Sequence, residues 1–199
     1  MKIVKQSVDI LTNLNQKEIL SRLEIAGRVC YKSEHRISVD SAEKFIANII
    51  RLGHESVLEH VSIGVRFIID RGVSHELVRH RLASYSQEST RYCRYSDEVV
   101  FIEPPFETEE DRVIWQFLMI EIEKTYIELL NRGVKPEITR SVLPNSLKTE
   151  VIMTANIREW RHIMKIRTDE KAHPQIREVC NLLKKELVEK LPVLFGDLV

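Results

Sequence analysis

The chain has 199 residues, 43% hydrophobic and 30% charged, with 30 basic side chains against 30 acidic ones. That is the composition of a globular protein with a substantial core. The zero formal charge excludes a global field that would draw in nucleic acid or an anionic membrane, so any anion site must be local.

Residues 2 to 11 read as an opening strand. Lys5, Gln6 and Asp9 interrupt the apolar run, so it does not read as a signal peptide. Asn15 and Glu18 form a capping box, with Leu14 and Ile19 as its hydrophobic staple. This predicts a helix over about 16–31. Asp40 with Glu43 repeats the box and opens a second helix, stopped near Gly53. Val61, Ile63, Val65, Phe67 and Ile69 alternate with Ser62, Gly64 and Arg66, the clearest strand in the sequence. A helix from near Ser74 leads into RHRLASYSQESTRYCRY, residues 79–95. Val99 to Ile102 is a short strand ahead of Pro104 and Pro105. Thr108 with Asp111 caps the longest helix, from Glu109 to Arg132, which ends at Gly133. Thr149 to Ala155 is a further strand. Helices over about 157–167 and 174–191 follow, the second with Pro174 in its first turn. There is no repeat and no Ser/Gly linker, which predicts a single domain over 1–199. Without strict strand–helix alternation, the order predicts an α+β fold: a largely antiparallel sheet packed with long helices.

No apolar run approaches the ~18 residues of a membrane span. Cys30, Cys93 and Cys180 are odd in number and far apart. They fit a reduced cytoplasm better than a disulfide framework. Only Cys93 has a cation beside it, Arg94, and no base is evident to activate it as a nucleophile. Ser84, Ser86 and Ser89 lack a G-x-S-x-G elbow and have only His80 nearby.

The segment HESVLEH, His54 to His60, suggests a metal hydrolase. Its histidines are six apart, about 120° off one helical face, so they do not match a zinc-protease pair. The plainer reading is a polar loop feeding the next strand, with His54 and Glu59 lining a pocket for an organic ligand. No G-x-G and no Walker loop occurs, so phosphates would be held by arginines and hydroxyls. Arg79 and Arg81 point about 200° apart on a regular helix. Either the helix ends there or the two address different groups; a solvated cationic helix end is the plain alternative. Arginines and tyrosines in RYCRY also suit a nucleic-acid-binding module, a reading weakened by the zero net charge. Further along, Asn156, Arg158 and His162 straddle a strand-to-helix junction, a natural anion site. Arg140 and Arg167 add cations nearby in sequence.

The arrangement R-H-R, seven residues, S-x-R stands here as Arg79-His80-Arg81, LASYSQE and Ser89-Thr90-Arg91. It resembles the signature of the flavin-dependent thymidylate synthases. The resemblance extends to His54 with Glu59, to Arg140 ahead of LPN, to NIREWRHIMKIR at 156–167 and to AHPQIR at 172–177. It covers most of the chain from Gly53 to Arg177. It implies a methyltransferase that makes dTMP from dUMP, with methylenetetrahydrofolate as carbon donor and FAD, reduced by NADPH, as hydride source. It also implies an α/β homotetramer with active sites at subunit interfaces. The cysteine usage, the zero net charge and the lack of a long apolar run lead us to expect a cytoplasmic protein with neither a nucleic-acid nor a membrane partner. By resemblance, FAD would be met by His54, Ser56, Arg79, His80, Arg81, Gln87, Asn156, Arg158 and His162. Gln87, Glu88, Ser89, Thr90 and Arg91 would cradle dUMP, with Glu76, Arg79 and Arg140. Arg167 is similar to the arginine that activates the uracil ring, in place of a cysteine nucleophile. Glu76 stands where relatives also carry Gln, His162 where they also carry Asn, and Lys171 where some carry His.

Overall fold

The structure is a computed structural model that describes residues 1–198. The strands are β1 (Lys2–Val4), β2 (Ser7–Ile10), β3 (Ser62–Asp70), β4 (Ala83–Gln87), β5 (Val100–Ile102) and β6 (Lys148–Asn156). The helices are α1 (Gln16–Val29), α2 (Ser41–Arg51), α3 (Arg71–Leu77), α4 (Glu109–Asn131), α5 (Pro136–Thr139), α6 (Ile157–Arg167), α7 (Pro174–Lys190) and α8 (Pro192–Phe195). The mixed α and β content and the largely antiparallel main sheet are those expected. That sheet has the order β2-β3-β6-β4; β1 and β5 form a separate parallel pair, with Lys2 opposite Val100 and Val4 opposite Ile102.

The expected opening strand is therefore two strands in two sheets. The break falls at Lys5 and Gln6, the polar pair that interrupts the apolar run. Two other elements differ from expectation. α3 begins at Arg71 rather than near Ser74, because the Asp70 carboxylate accepts from Val73 N at 2.6 Å and caps the helix three residues early. β4 lies inside the arginine-rich motif, where alternating burial but no run of apolar residues marks it.

The chain divides into two compact units, and β3, β4 and β6 each run through both. Unit 1 comprises Met1–Ser7, Phe67–Arg79 and Ser86–Ile152. Its core joins Val99, Phe101 and Leu147 to Met119, Tyr126 and Leu130 of α4. α4 starts as expected: Thr108 Oγ1 accepts from Asp111 N at 3.1 Å. It ends before Gly133, whose φ of +84° lets the chain turn away.

Unit 2 comprises Val8–Arg66, His80–Tyr85 and the chain from Met153 onward. Leu20 and Leu23 of α1, Ile46 and Ile49 of α2, and the apolar faces of α6, α7 and α8 are buried. The Asn15 cap of α1 forms as expected, accepting from Glu18 N at 3.3 Å. Asp40 makes no capping bond to α2. Instead Ser41 Oγ accepts from Ser38 N at 2.9 Å and donates to the buried Glu24 at 2.8 Å, while Arg28 Nη2 donates to the other Glu24 oxygen at 2.8 Å. A buried carboxylate needs such partners, and here they tie α1 to α2. The β6–α6 junction docks on β3: Ile157 N donates to Val61 O at 3.0 Å, and the fully buried Trp160 donates from Nε1 to Ile63 O at 2.9 Å.

Candidate active site

Unit 2 carries most of the expected cofactor residues. The side-chain oxygen of Asn156 accepts from Glu159 N at 2.9 Å and fixes the first turn of α6. Arg158 and His162 then share an exposed face, as their spacing requires. Arg158 Nη1 donates to Glu59 Oε1 at 2.6 Å, and its Nε lies 3.8 Å from Glu55 Oε2. Arg161 is buried; its Nη1 and Nη2 grip both oxygens of Asp197 at 2.7 and 2.6 Å, and Nη1 also donates to the Leu194 carbonyl. That hydrogen-bonded pairing holds the Asp197 carboxyl below its usual range. All of these but Leu194, with Leu82, His162 and Lys165, line a cleft of about 570 Å³. His54 and Ser56 are exposed at and just after the start of the 3-10 turn Glu55–His60, which HESVLEH forms in place of a plain loop. Among the described residues no group of three His, Cys, Asp or Glu is placed to hold a metal.

A second set of contacts in unit 2 runs through His80. Arg167, the last residue of α6, donates from Nε to His80 Nε2 at 3.0 Å. A guanidinium nitrogen only donates, so Nε2 is the acceptor. The neutral ring then carries its proton on Nδ1, which faces Glu159 Oε1 at 3.5 Å. His80 is 6% exposed, and its pKa is lowered from 6.5 to about 4 by burial, then by the charge of Arg167 and by His162. The His162 ring stands edge-on, 6.3 Å between centroids. Tyr85 donates its hydroxyl to the His80 carbonyl at 2.6 Å; burial and then Glu159 push its own pKa up to about 12.

Between pH 6.5 and 4 the unfolded chain binds a proton at His80 that the folded chain refuses. Stability therefore falls as pH drops through that window, by up to roughly 3 kcal/mol. Urea midpoints at pH 7.5 and 4.5 should show this acid loss, and His80→Gln should reduce it. An unchanged acid loss in the variant would assign it to other groups.

Unit 1 carries most of the expected substrate residues. The Ser74 hydroxyl is buried at α3 and accepts from Gln87 Nε2 at 2.9 Å; Gln87 also reaches Thr149 Oγ1 at 3.3 Å. Arg71 Nη1 donates to the Glu88 carbonyl at 3.4 Å. The Glu88 carboxylate accepts from Tyr95 OH at 2.6 Å and from Lys148 Nζ at 3.1 Å, and Lys148 also donates to Glu150 at 2.9 Å. Burial pulls the Lys148 pKa down, but its bonds to Glu150 and Glu88 more than reverse this. Burial and the bond to Glu88 raise the Tyr95 pKa. Thr90 is buried and accepts from Arg140 Nη1 at 3.4 Å. Ser89 Oγ accepts from Arg91 N at 3.3 Å, and exposed Arg91 reaches Glu137 at 3.3 Å. Glu76 is half-buried near the end of α3, and Arg79 is exposed just beyond it. Gln87, Glu88, Cys93, Lys148 and Glu150 line a cleft of about 420 Å³.

The helix before the RHR triplet ends at Leu77, so Arg79 and Arg81 do not share a regular helix. Arg79 belongs to unit 1, and His80 and Arg81 belong to unit 2.

The profile described as thymidylate synthase complementing protein matches residues 13–193. A flavin-dependent thymidylate synthase of Pyrococcus furiosus is 39% identical over 173 residues, 82% of this chain and 70% of that protein. One of Mycobacteroides abscessus is 34% identical over 194 residues, 88% of this chain and 78% of that protein. The chain belongs to the flavin-dependent thymidylate synthase family. The fold agrees. A solved UMP/dUMP methylase from Streptomyces cacaoi, bound with 5-Br dUMP, superposes with a TM-score of 0.81 at 22% identity, covering 98% of this chain and 96% of that one.

For a flavin-dependent synthase the unit 2 cleft is chemically apt. Arg161 Nε is buried without a hydrogen bond, 3.8 Å from Glu55 Oε1. Arg158, Lys165 and the N-terminal turn of α6 offer donors for an anionic cofactor beside the carboxylates of Glu55, Glu59, Glu159 and Asp197, so an anion would have to displace the Arg158 pairs. The motifs did not single out three residues of this synthase, Glu159, Arg161 and Lys148, and marked Tyr95 only as a tyrosine of RYCRY. Glu159 did carry a signal, since Asn156 and Glu159 have capping-box spacing.

Proposed function

We propose that the chain methylates dUMP reductively to dTMP, with FAD as cofactor, methylenetetrahydrofolate as carbon donor and NADPH as the reductant of FAD. Family membership supports the activity. The observation that carries the mechanism is Arg167, its guanidinium anchored on buried, neutral His80.

Uracil C5 must become nucleophilic enough to bond to the folate methylene; C5 then loses its proton, and the bond from the methylene to the folate nitrogen breaks to release tetrahydrofolate. A guanidinium at N3 and a neighbouring oxygen stabilises the negative charge that develops in the ring. We assign this to Arg167, which needs no cysteine nucleophile. Reduced FAD, when bound, supplies the hydride that completes the methyl group. We assign FAD to His54, Ser56, Arg79, His80, Arg81, Gln87, Asn156, Arg158 and His162. Arg158 is half exposed and paired with Glu59. Such a surface pair is worth little, so Arg158 can be redirected to a diphosphate at small cost. We assign dUMP to Glu76, Arg79 and Gln87 to Arg91, with Arg140. Thr90 is already bonded to Arg140, and Gln87 to Ser74, which orders the segment before a nucleotide arrives.

The same reading makes the enzyme a cytoplasmic homotetramer with shared active sites and residues 1–199 one functional domain. Ile114, Phe117 and Leu118 form an exposed apolar stripe on α4, which supports self-association. β3, β4 and β6 run through both units, which supports one domain.

The test is a titration of purified protein with FAD, followed by dTMP formation from dUMP, methylenetetrahydrofolate and NADPH. Flavin absorbance near one per chain and FAD-dependent product are expected. Protein that has no FAD affinity and forms no dTMP would refute the proposal.

A further inference from the structure

We propose that Glu159 is a positioning residue for Arg167: through His80 it sets which edge of the guanidinium is offered to substrate. The inference rests on the uracil-polarising role assigned to Arg167 above.

Three placements carry it. The α6 cap holds Glu159 by its backbone N–H on Asn156 at 2.9 Å, and its side chain is buried against the cleft, 7% exposed. Its Oε1 lies 3.5 Å from His80 Nδ1. On the opposite side of the same ring, Nε2 lies 3.0 Å from Arg167 Nε. A neutral imidazole has one proton for two nitrogens, and Arg167 brings a second N–H that cannot be turned off. Only the tautomer with hydrogen on Nδ1 lets Nε2 accept it. A carboxylate facing Nδ1 favours that tautomer, as carboxylates do for histidines that must present the other nitrogen to a metal.

With the opposite tautomer, two N–H groups would confront each other across the 3.0 Å contact, and Arg167 would be pushed away. With the observed one, Nε is committed to His80, and the role assigned to Arg167 turns the edge made by its two terminal nitrogens toward substrate. That pair is the edge that can span N3 and an adjacent uracil oxygen. Among the described residues, Arg167, His162 and Glu159 face the ring as ionisable side chains, and Tyr85 braces its backbone. His80 stays neutral near pH 7, so the proton on Nδ1 is the only one the ring has to place.

The test uses FAD-loaded protein labelled with 15N-histidine. Solid-state 15N spectra, with His80→Gln to assign the resonance, report the tautomer whether or not the protein turns over. Wild type should show the Nδ1–H form of His80, and Glu159→Ala should lose it. Glu159→Ala should also lower kcat for dTMP about tenfold while KM for dUMP changes less than about twofold. Glu159→Gln, whose amide oxygen still accepts from Nδ1–H, should recover most of both. An Nε2–H form in wild type overturns the proposal, as does an unchanged kcat in Glu159→Ala. Equal loss in the Gln and Ala variants overturns it too, because a merely structural role for the carboxylate predicts that. If Glu159→Ala fails to fold, the wild-type tautomer and the Gln variant decide. A wild type that makes no dTMP, yet switches tautomer on Glu159→Ala, overturns the proposed activity and supports the chain from Glu159 to Arg167.

Discussion

Arg167→Ala should bind FAD as wild type does and form dTMP about 10²–10³-fold more slowly, the cost of removing a preorganised donor from developing anionic charge. The direction follows from what Arg167 touches. Its Nε is spent on His80 inside unit 2, and the side chain is half-buried at the end of α6, away from the capped N-terminal turn where Asn156 and Arg158 lie. Removing it should leave the FAD donors proposed at that turn in place, and His80 stays held at its backbone by Tyr85. Removing it also frees His80 Nε2 and takes away the cation that helps depress the His80 pKa, so that pKa should rise from about 4. Flavin absorbance, single-turnover dTMP formation and the His80 titration read the three effects separately. Turnover within about threefold of wild type would exclude Arg167 as the group that polarises uracil.

The largest stability loss is expected at Trp160→Ala. Trp160 is fully buried on α6, and its indole donates to the Ile63 carbonyl on β3 at 2.9 Å. Truncating a buried Trp costs roughly 3–5 kcal/mol in lost contacts and cavity. The Ile63 carbonyl, left without this donor, adds about 1 kcal/mol or more. Against a typical total of about 5–15 kcal/mol, this brings the fold close to its limit. Trp160→Phe separates the two effects: it keeps most of the apolar volume and loses the donor, so a drop of about 2 kcal/mol is expected. Urea unfolding followed by circular dichroism measures both. A loss under about 1 kcal/mol in Trp160→Ala would mean that the α6–β3 contact holds little of the fold.

Some elements were legible because their signals are local. The caps at Asn15 and Thr108 and the alternation from Val61 to Ile69 each play out over a few residues. The bounds expected for α6 match those observed. Other features need a partner that the local sequence does not show. Residues 2 to 11 read as one strand, yet Lys2–Val4 pairs with β5 about a hundred positions away while β2 joins β3. β4 forms from polar residues, stabilised by β6 beside it rather than by its own pattern. Asp40 looked like a cap, but Ser41 supplies the side-chain bond at that turn, and its hydroxyl also serves buried Glu24.

The candidate site divides in the same way. By itself the sequence determined the residue types, an RHR triplet and an NIREWRH helix start whose spacing carries the family resemblance, along with most of the element boundaries. It also set the face shared by Arg158 and His162, because helical geometry relates residues four apart wherever the helix lies. Only the tertiary structure decided that α3 stops short of Arg79, that Tyr95 and Lys148 hold Glu88, and that Glu159 and Arg167 take opposite sides of one buried histidine. The physical reason is range. Caps and periodicity are settled by neighbours along the chain. The His80 tautomer and the direction of Arg167 depend on desolvation and charge from a residue 87 positions distant, which exist only once the chain has folded.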